Sequence, residues 1–240
     1  MGDFEKPVSN SQSLLVKCPH CAQSGSFEVW QRITSSTDEY ATNLLLKGEL
    51  FKYTCPTCNA TTSMVYDCLY HDVNRRAFLL LSNTQEEKKS VSLLRALQEK
   101  QDRESPHLEY SKDDIPIAGT PSFRFDRYQV RLATNAFEFF EKARVWNEGY
   151  DDRVIELMKI AIKRGMLKEG IIGPDDTMIY ERTMPDGGIS FVVVGDIPGD
   201  SVGVPQGYDY CKTYLEEGEI LGALEDEYRF DSNWAKTYLP

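Results

Sequence analysis

A chain of 240 residues holds one large domain or two small ones, and 41% hydrophobic residues are enough to bury a core, which excludes disorder throughout. With 27 Lys and Arg against 38 Asp and Glu, the net charge is −11. The basic pairs Arg75-Arg76, Lys88-Lys89 and Lys163-Arg164 are scattered, so the clustered cations that meet a phosphate backbone are lacking and nucleic-acid binding is disfavoured.

Residues 1–15 show neither the basic start nor the apolar segment of a secretory signal. Lys6 stands where a myristoylation motif wants Ser or Thr. No run approaches the ~20 apolar residues that span a bilayer. The expected setting is the cytoplasm, where thiols stay free or bind metal rather than pair as disulfides.

Residues 12–17 and 26–34 read as strands, the second with alternation in Phe27-Glu28-Val29-Trp30-Gln31. Between them lies Cys18-Pro19-His20-Cys21. Residues 38–48 read as a short helix or turn stopped by Gly48. Leu50–Thr54 and Ser63–Tyr70 then bracket Cys55-Pro56-Thr57-Cys58 as a hairpin, and Arg76–Leu81 is a further strand.

The two Cys-Pro-x-Cys runs carry the most chemistry in the chain. Thiolates at i and i+3 converge on one metal if the backbone between them turns tightly, and proline pre-sets that turn. Two such pairs supply the four thiolates of a tetrahedral Zn²⁺ site: Cys18, Cys21, Cys55 and Cys58, with one zinc per chain. The competing readings are two unrelated buried thiol pairs, or disulfides. Knuckles often place glycine after the second cysteine, where φ is positive. Here Ala22 and Asn59 stand there; Asn tolerates that region and Ala does so poorly, which predicts a strained or different first turn. Cys68 and Cys211 pair with nothing in sequence and read as ordinary buried residues.

Val91, Leu94 and Leu97 predict one helix after Thr84, and the polar stretch 100–122, with Pro106, Pro116 and Pro121, reads as a linker or surface loop. A long helix is expected next. Val130, Ala133, Phe137, Phe140 and Ala143 form its stripe, and Asp126 with Gln129 forms a capping box. A second helix starts at Asp151-Asp152 and ends at Lys163-Arg164 with Gly165 beyond, and it buries Val154, Leu157, Met158 and Ala161. Thr177–Thr183 and Ile189–Val194 read as strands joined at Pro185-Asp186-Gly187-Gly188. Tyr208–Glu217 and Ile220–Tyr228 close as short helices.

The paired Cys-Pro-x-Cys motifs, Gly48-Glu49-Leu50-Phe51, Leu69-Tyr70-His71-Asp72, Asp151-Asp152-Arg153-Val154-Ile155-Glu156 and Asp231-Ser232-Asn233-Trp234-Ala235 together resemble the CpXC family. That resemblance implies a prokaryotic group regarded as metal-binding, with no assigned reaction, and puts ligation on Cys18, Cys21, Cys55 and Cys58.

Other candidates have bland alternatives. His71 and Asp72 could form an acid–base pair in a cleft between two halves, or a hydrogen bond at a turn or beside the metal. Glu156 and Lys159 read as an i, i+3 ion pair on a solvated helix face. Asp175-Asp176 and Glu216-Glu217 read as loop or helix-end charges. No phosphate loop, nucleophile elbow or His-Glu-x-x-His run is present.

The expected fold is α+β: a zinc ribbon-like antiparallel sheet in residues 1–83, a helix and polar linker in 84–122, and an α+β region in 123–240 with helices and a hairpin. A closed four-thiolate shell offers no open position, so the zinc is expected to be structural and the protein a protein-binding or scaffold module. The alternatives are an enzyme using His71 and Asp72, and a nucleic-acid adaptor. Phe191, Val192, Val193 and Val194 must be buried on both faces or paired across an edge, which points to self-association or a protein partner near the hairpin.

Overall fold

The computed structural model describes residues 10–82, 87–104, 128–195, 201–205, 207–218 and 227–239. Among these the chain forms two compact units, the first ending at residue 143 and the second starting at residue 144. The fold is α+β, with an antiparallel-rich sheet first, then helices and a hairpin sheet.

In the first unit, β1 (Asn10–Lys17) and β2 (Ser24–Thr34) form an antiparallel hairpin with Lys17 opposite Ser24. Helix α1 (Glu39–Leu46) follows. Asp38 accepts from the Ala41 amide at its start, and Gly48, at φ 68°, ends it where the expected stop lies. A second hairpin, β3 (Lys52–Thr54) with β4 (Thr61–Ser63), encloses the second Cys-Pro-x-Cys run. The expected strand 63–70 is two pieces: β4 stops at Ser63, and β5 (Cys68–Asp72) joins the larger sheet, antiparallel to β6 (Ala77–Leu81). The sheet order is β1-β2-β5-β6-β7, with β7 at Gln129–Ala133. The β2–β5 and β6–β7 pairs are parallel, so the expected antiparallel pattern covers the hairpins and is interrupted at these two seams.

Helix α2 (Glu87–Glu104) confirms the Val91–Leu97 stripe, with Leu94 fully buried. Residues 100–104 of the linker expected at 100–122 belong to α2, and residues 105–127 lie outside the described residues, Asp126 of the expected capping box included.

The long helix expected through 126–143 is corrected. Val130 and Ala133 belong to strand β7, and the helix, α3 (Ala136–Asn147), starts afterwards. A strand buried on both faces lacks clean alternation, so the spacing from Val130 to Ala133 fits either element. The true start signal is Asn135-x-x-Glu138. Asn135 Oδ1 accepts from the Glu138 amide, and Glu138 reaches back to the Thr134 amide.

In the second unit, α4 (Asp152–Lys168) is capped by Asp151, whose carboxylate accepts from the Arg153 amide. The helix runs one turn past the expected stop. Gly165 is helical, and Gly170, at φ 69°, is the glycine that ends it, with Ile171 N bonded to Met166 O at 2.9 Å.

Its first half, Asp152 to Ile160, is buried on every side, wider than the apolar face expected. The Glu156–Lys159 pair forms, with Lys159 Nζ 2.7 Å from Glu156 Oε1, but both groups are buried rather than solvated.

Strands β8 (Thr177–Thr183) and β9 (Ile189–Val194) meet at the expected turn, with Gly187 at φ 81° and Met184 N bonded to Gly188 O. Strand β10 (Ser201–Val204) pairs with the other edge of β9, giving the order β10-β9-β8. Phe191 and Val193 are buried, and Val194 is 51% exposed. The apolar run therefore finds strand partners on both edges within its own chain.

Helix α5 (Gly207–Glu217) forms as expected. Of the helix expected at 220–228, residues 220–226 lie outside the described residues and Glu227 and Tyr228 are not helical. Helix α6 (Ser232–Tyr238) is capped by Asp231, which accepts from the amides of Asn233 and Trp234. Both α5 and α6 pack on α4.

Candidate metal centre

Each Cys-Pro-x-Cys run is the tip of a hairpin, and the two tips are built alike. In the first, Cys18 N donates to Gln23 O (2.9 Å) and Ala22 N to Cys18 O (2.9 Å). In the second, Cys55 N donates to Ala60 O (2.9 Å) and Asn59 N to Cys55 O (3.0 Å). Ala22 and Asn59 adopt φ of 59° and 57°. The first turn is thus of the same type as the second, with an alanine held in the left-handed region.

These turns free other amides to point at sulfur. His20 N donates to Cys18 Sγ (3.4 Å), and the Gln23 amide donates to Cys21. Amides of Cys58 and Thr57 serve Cys55, and that of Ala60 serves Cys58. The paired amides on Cys55 pull its thiol down to about 6. Cys21 is drawn down by the Gln23 amide, but burial and the three neighbouring thiols push it up to about 12.

All four Sγ atoms lie within 4.8 Å of one another, with Cys18 to Cys58 at 3.7 Å and Cys21 to Cys55 at 3.6 Å. A Zn–S length of about 2.3 Å in a tetrahedron requires sulfur separations of about 3.8 Å, so the cross-hairpin pairs already sit at metal-site spacing. These separations far exceed the ~2.05 Å of a disulfide, and all four thiols are free. The donor set fits a thiophilic ion. Among the described residues, no other His, Cys, Asp or Glu side chains gather in threes in this way.

The sulfurs rest on a small apolar cluster. Cys18 and Cys55 are buried with Phe27, Val29 and Tyr53, and Val16, Met64 and Tyr66 pack around them; Cys21 is half-buried and Cys58 exposed. Tyr53 and Gly25 carry no signal in a cysteine motif, yet both belong to this site. Tyr53 lies two residues before Cys55 in an extended run, the spacing that places side chains on one face. Tyr53 and Cys55 are buried in the same cluster, and the Tyr53 hydroxyl has no hydrogen-bond partner among the described residues.

Cys68 and Cys211 are buried, as expected, and burial raises both thiols.

His71 and Asp72 are consecutive in β5, so their side chains leave opposite faces of the sheet. His71 is fully buried, with its ring 4.4 Å from Phe78 and 5.7 Å from Tyr128. Arg32 Nη2 lies 3.4 Å from Nδ1, and Tyr128 Oη lies 3.1 Å from Nε2. A guanidinium can only donate, so Nδ1 accepts, and Nε2 carries the proton and donates to Tyr128. Burial, with the Arg32 charge behind it, lowers His71 to about 4.

Tyr128 is fixed from α2, where Gln98 donates to its carbonyl (2.6 Å) and Asp102 accepts from its amide (2.8 Å). Asp72 accepts from the Arg75 amide (3.1 Å) in the turn to β6, and burial raises its carboxyl.

No helix among the described residues is long and apolar enough to cross a membrane. No curated protein matches the chain, and neither does any solved structure. The family described as CpXC protein matches residues 16–159, from the strand ahead of the first knuckle to Lys159 in α4, and the chain belongs to the CpXC family.

Proposed function

We propose that Cys18, Cys21, Cys55 and Cys58 hold one zinc ion per chain, that the zinc is structural, and that the protein serves as a protein-binding or scaffold module in the cytoplasm. The observation that carries the metal reading is the convergence of the four sulfurs to within 4.8 Å of one another from two like-built hairpin tips, with Cys18–Cys58 and Cys21–Cys55 at tetrahedral spacing. Zinc is the ion of choice for four thiolates because it is borderline-soft, redox-inert and content with a tetrahedral shell. Such a shell leaves no position for water or substrate, and the ion then acts by tying two hairpins together.

Structural zinc of this kind contributes on the order of 10–16 kcal/mol of apparent binding energy in small zinc-dependent domains. The protein-binding role is supported by the closed thiolate shell, the full burial of His71 and a charge of −11 that discourages polyanions. The partner is another protein or a second copy of the chain, met near the β10-β9-β8 sheet, where Val194 is exposed.

Chelation followed by thermal melting tests the structural role. Removal of zinc should lower Tm steeply, and zinc added back should restore it. A melting curve indifferent to chelator would contradict the reading. Affinity capture from a prokaryotic lysate, with size-exclusion chromatography of the pure protein, tests the partner.

A further inference from the structure

Tyr53 is 3% exposed, with its ring packed edge-on against Phe27 at 6.0 Å. Its hydroxyl lies over Gly25 at the foot of the first hairpin tip. A Cβ on Gly25 would fall 2.2 Å from Tyr53 Oη and 3.1 Å from Pro56 Cδ, so only glycine leaves the phenol its place between the hairpins. That hydroxyl has no hydrogen-bond partner among the described residues, and Tyr53 shares one buried cluster with Cys55 and Cys18. A buried donor without a partner is destabilising, and a charged acceptor removes the cost.

We propose that Tyr53 is a positioning residue of the metal centre that donates its hydroxyl proton to the metal-bound Cys55 thiolate, with Gly25 admitting the hydroxyl. This rests on the reading that the four cysteines hold a metal. The phenol hydrogen bond draws charge from the sulfur and holds Cys55 against the ion. Outer-shell donors of this kind are worth about 10- to 100-fold in metal affinity.

The test uses the full chain loaded with Co²⁺, whose thiolate-to-metal charge-transfer band reports on sulfur charge, alongside zinc competition against a chromophoric chelator. Tyr53→Phe should keep the wild-type far-ultraviolet spectrum, weaken zinc about 10- to 100-fold and move the band to lower energy, because an undonated thiolate gives up its electrons more easily. Gly25→Ala keeps the hydroxyl but displaces it, and should move the band the same way. Adding Gly25→Ala to Tyr53→Phe should move it no further.

If Tyr53→Phe leaves both band and zinc affinity unchanged while the wild type binds metal normally, Tyr53 is packing alone and the proposal fails by itself. If the wild type takes up neither Co²⁺ nor zinc, the metal reading fails and takes this proposal with it.

Discussion

Ala22 and Asn59 occupy matching places, each directly after the second cysteine of its knuckle, at φ of 59° and 57°. The left-handed region costs an L-residue about 1–2 kcal/mol, which asparagine tolerates better than alanine and glycine escapes. Ala22→Gly should therefore stabilise the metal-loaded protein by about 0.5–1 kcal/mol, net of the entropy that glycine adds to the unfolded chain. Asn59→Gly should gain less. Denaturant unfolding of both variants checks this, and a loss of stability in Ala22→Gly would show that the turn is not strained.

His71 gives a pH dependence whose sign is set by its lowered pKa. In the folded chain it titrates at about 4 and in the unfolded chain at about 6.5. Between those values the unfolded state holds the extra proton. The stability is thus fully present above pH 6.5 and is lost as pH falls toward 4, by about 3 kcal/mol in all. His71→Gln, neutral throughout, should be flatter than wild type across that window. Tm curves that run parallel would mean that His71 does not stay neutral in the fold.

Glu156 and Lys159 form a buried pair in α4, and breaking it should cost more than removing it. Lys159→Met leaves a carboxylate buried without its ammonium, an expected loss of about 3–5 kcal/mol. Glu156→Gln combined with Lys159→Met should recover much of that. Chemical denaturation of both variants decides it, and a double variant as unstable as the single one would mean that the pair is not the source of the loss.

The parts of the fold that were legible in the sequence are those set by local chemistry. Asp151 starts its helix, Gly48 ends another, Gly187 turns a hairpin, and the cysteine spacing draws the four sulfurs together. What was missed depends on tertiary surroundings. Strand β7 is buried on both faces, and Val130 and Ala133 fit a helical period equally well. Glu156 and Lys159 are buried in a helix on which α5 and α6 pack, and no charge pattern within the helix reveals that burial. The contact between Tyr53 and Gly25 joins two hairpins and leaves no mark in either motif.

The charge of −11 makes a further prediction: no detectable binding to single- or double-stranded oligonucleotides near physiological salt. Gel-shift titration at micromolar protein checks it. A shift that weakens as salt is added would revive the nucleic-acid adaptor.

The metal itself is tested most directly by elemental analysis of the purified full chain beside Cys18→Ser and Cys55→Ser. About one zinc per wild-type chain is expected and essentially none in either variant, because three thiolates cannot close the shell. A wild-type protein free of metal, or one whose Cys18 and Cys21 are joined as a native disulfide, would contradict it.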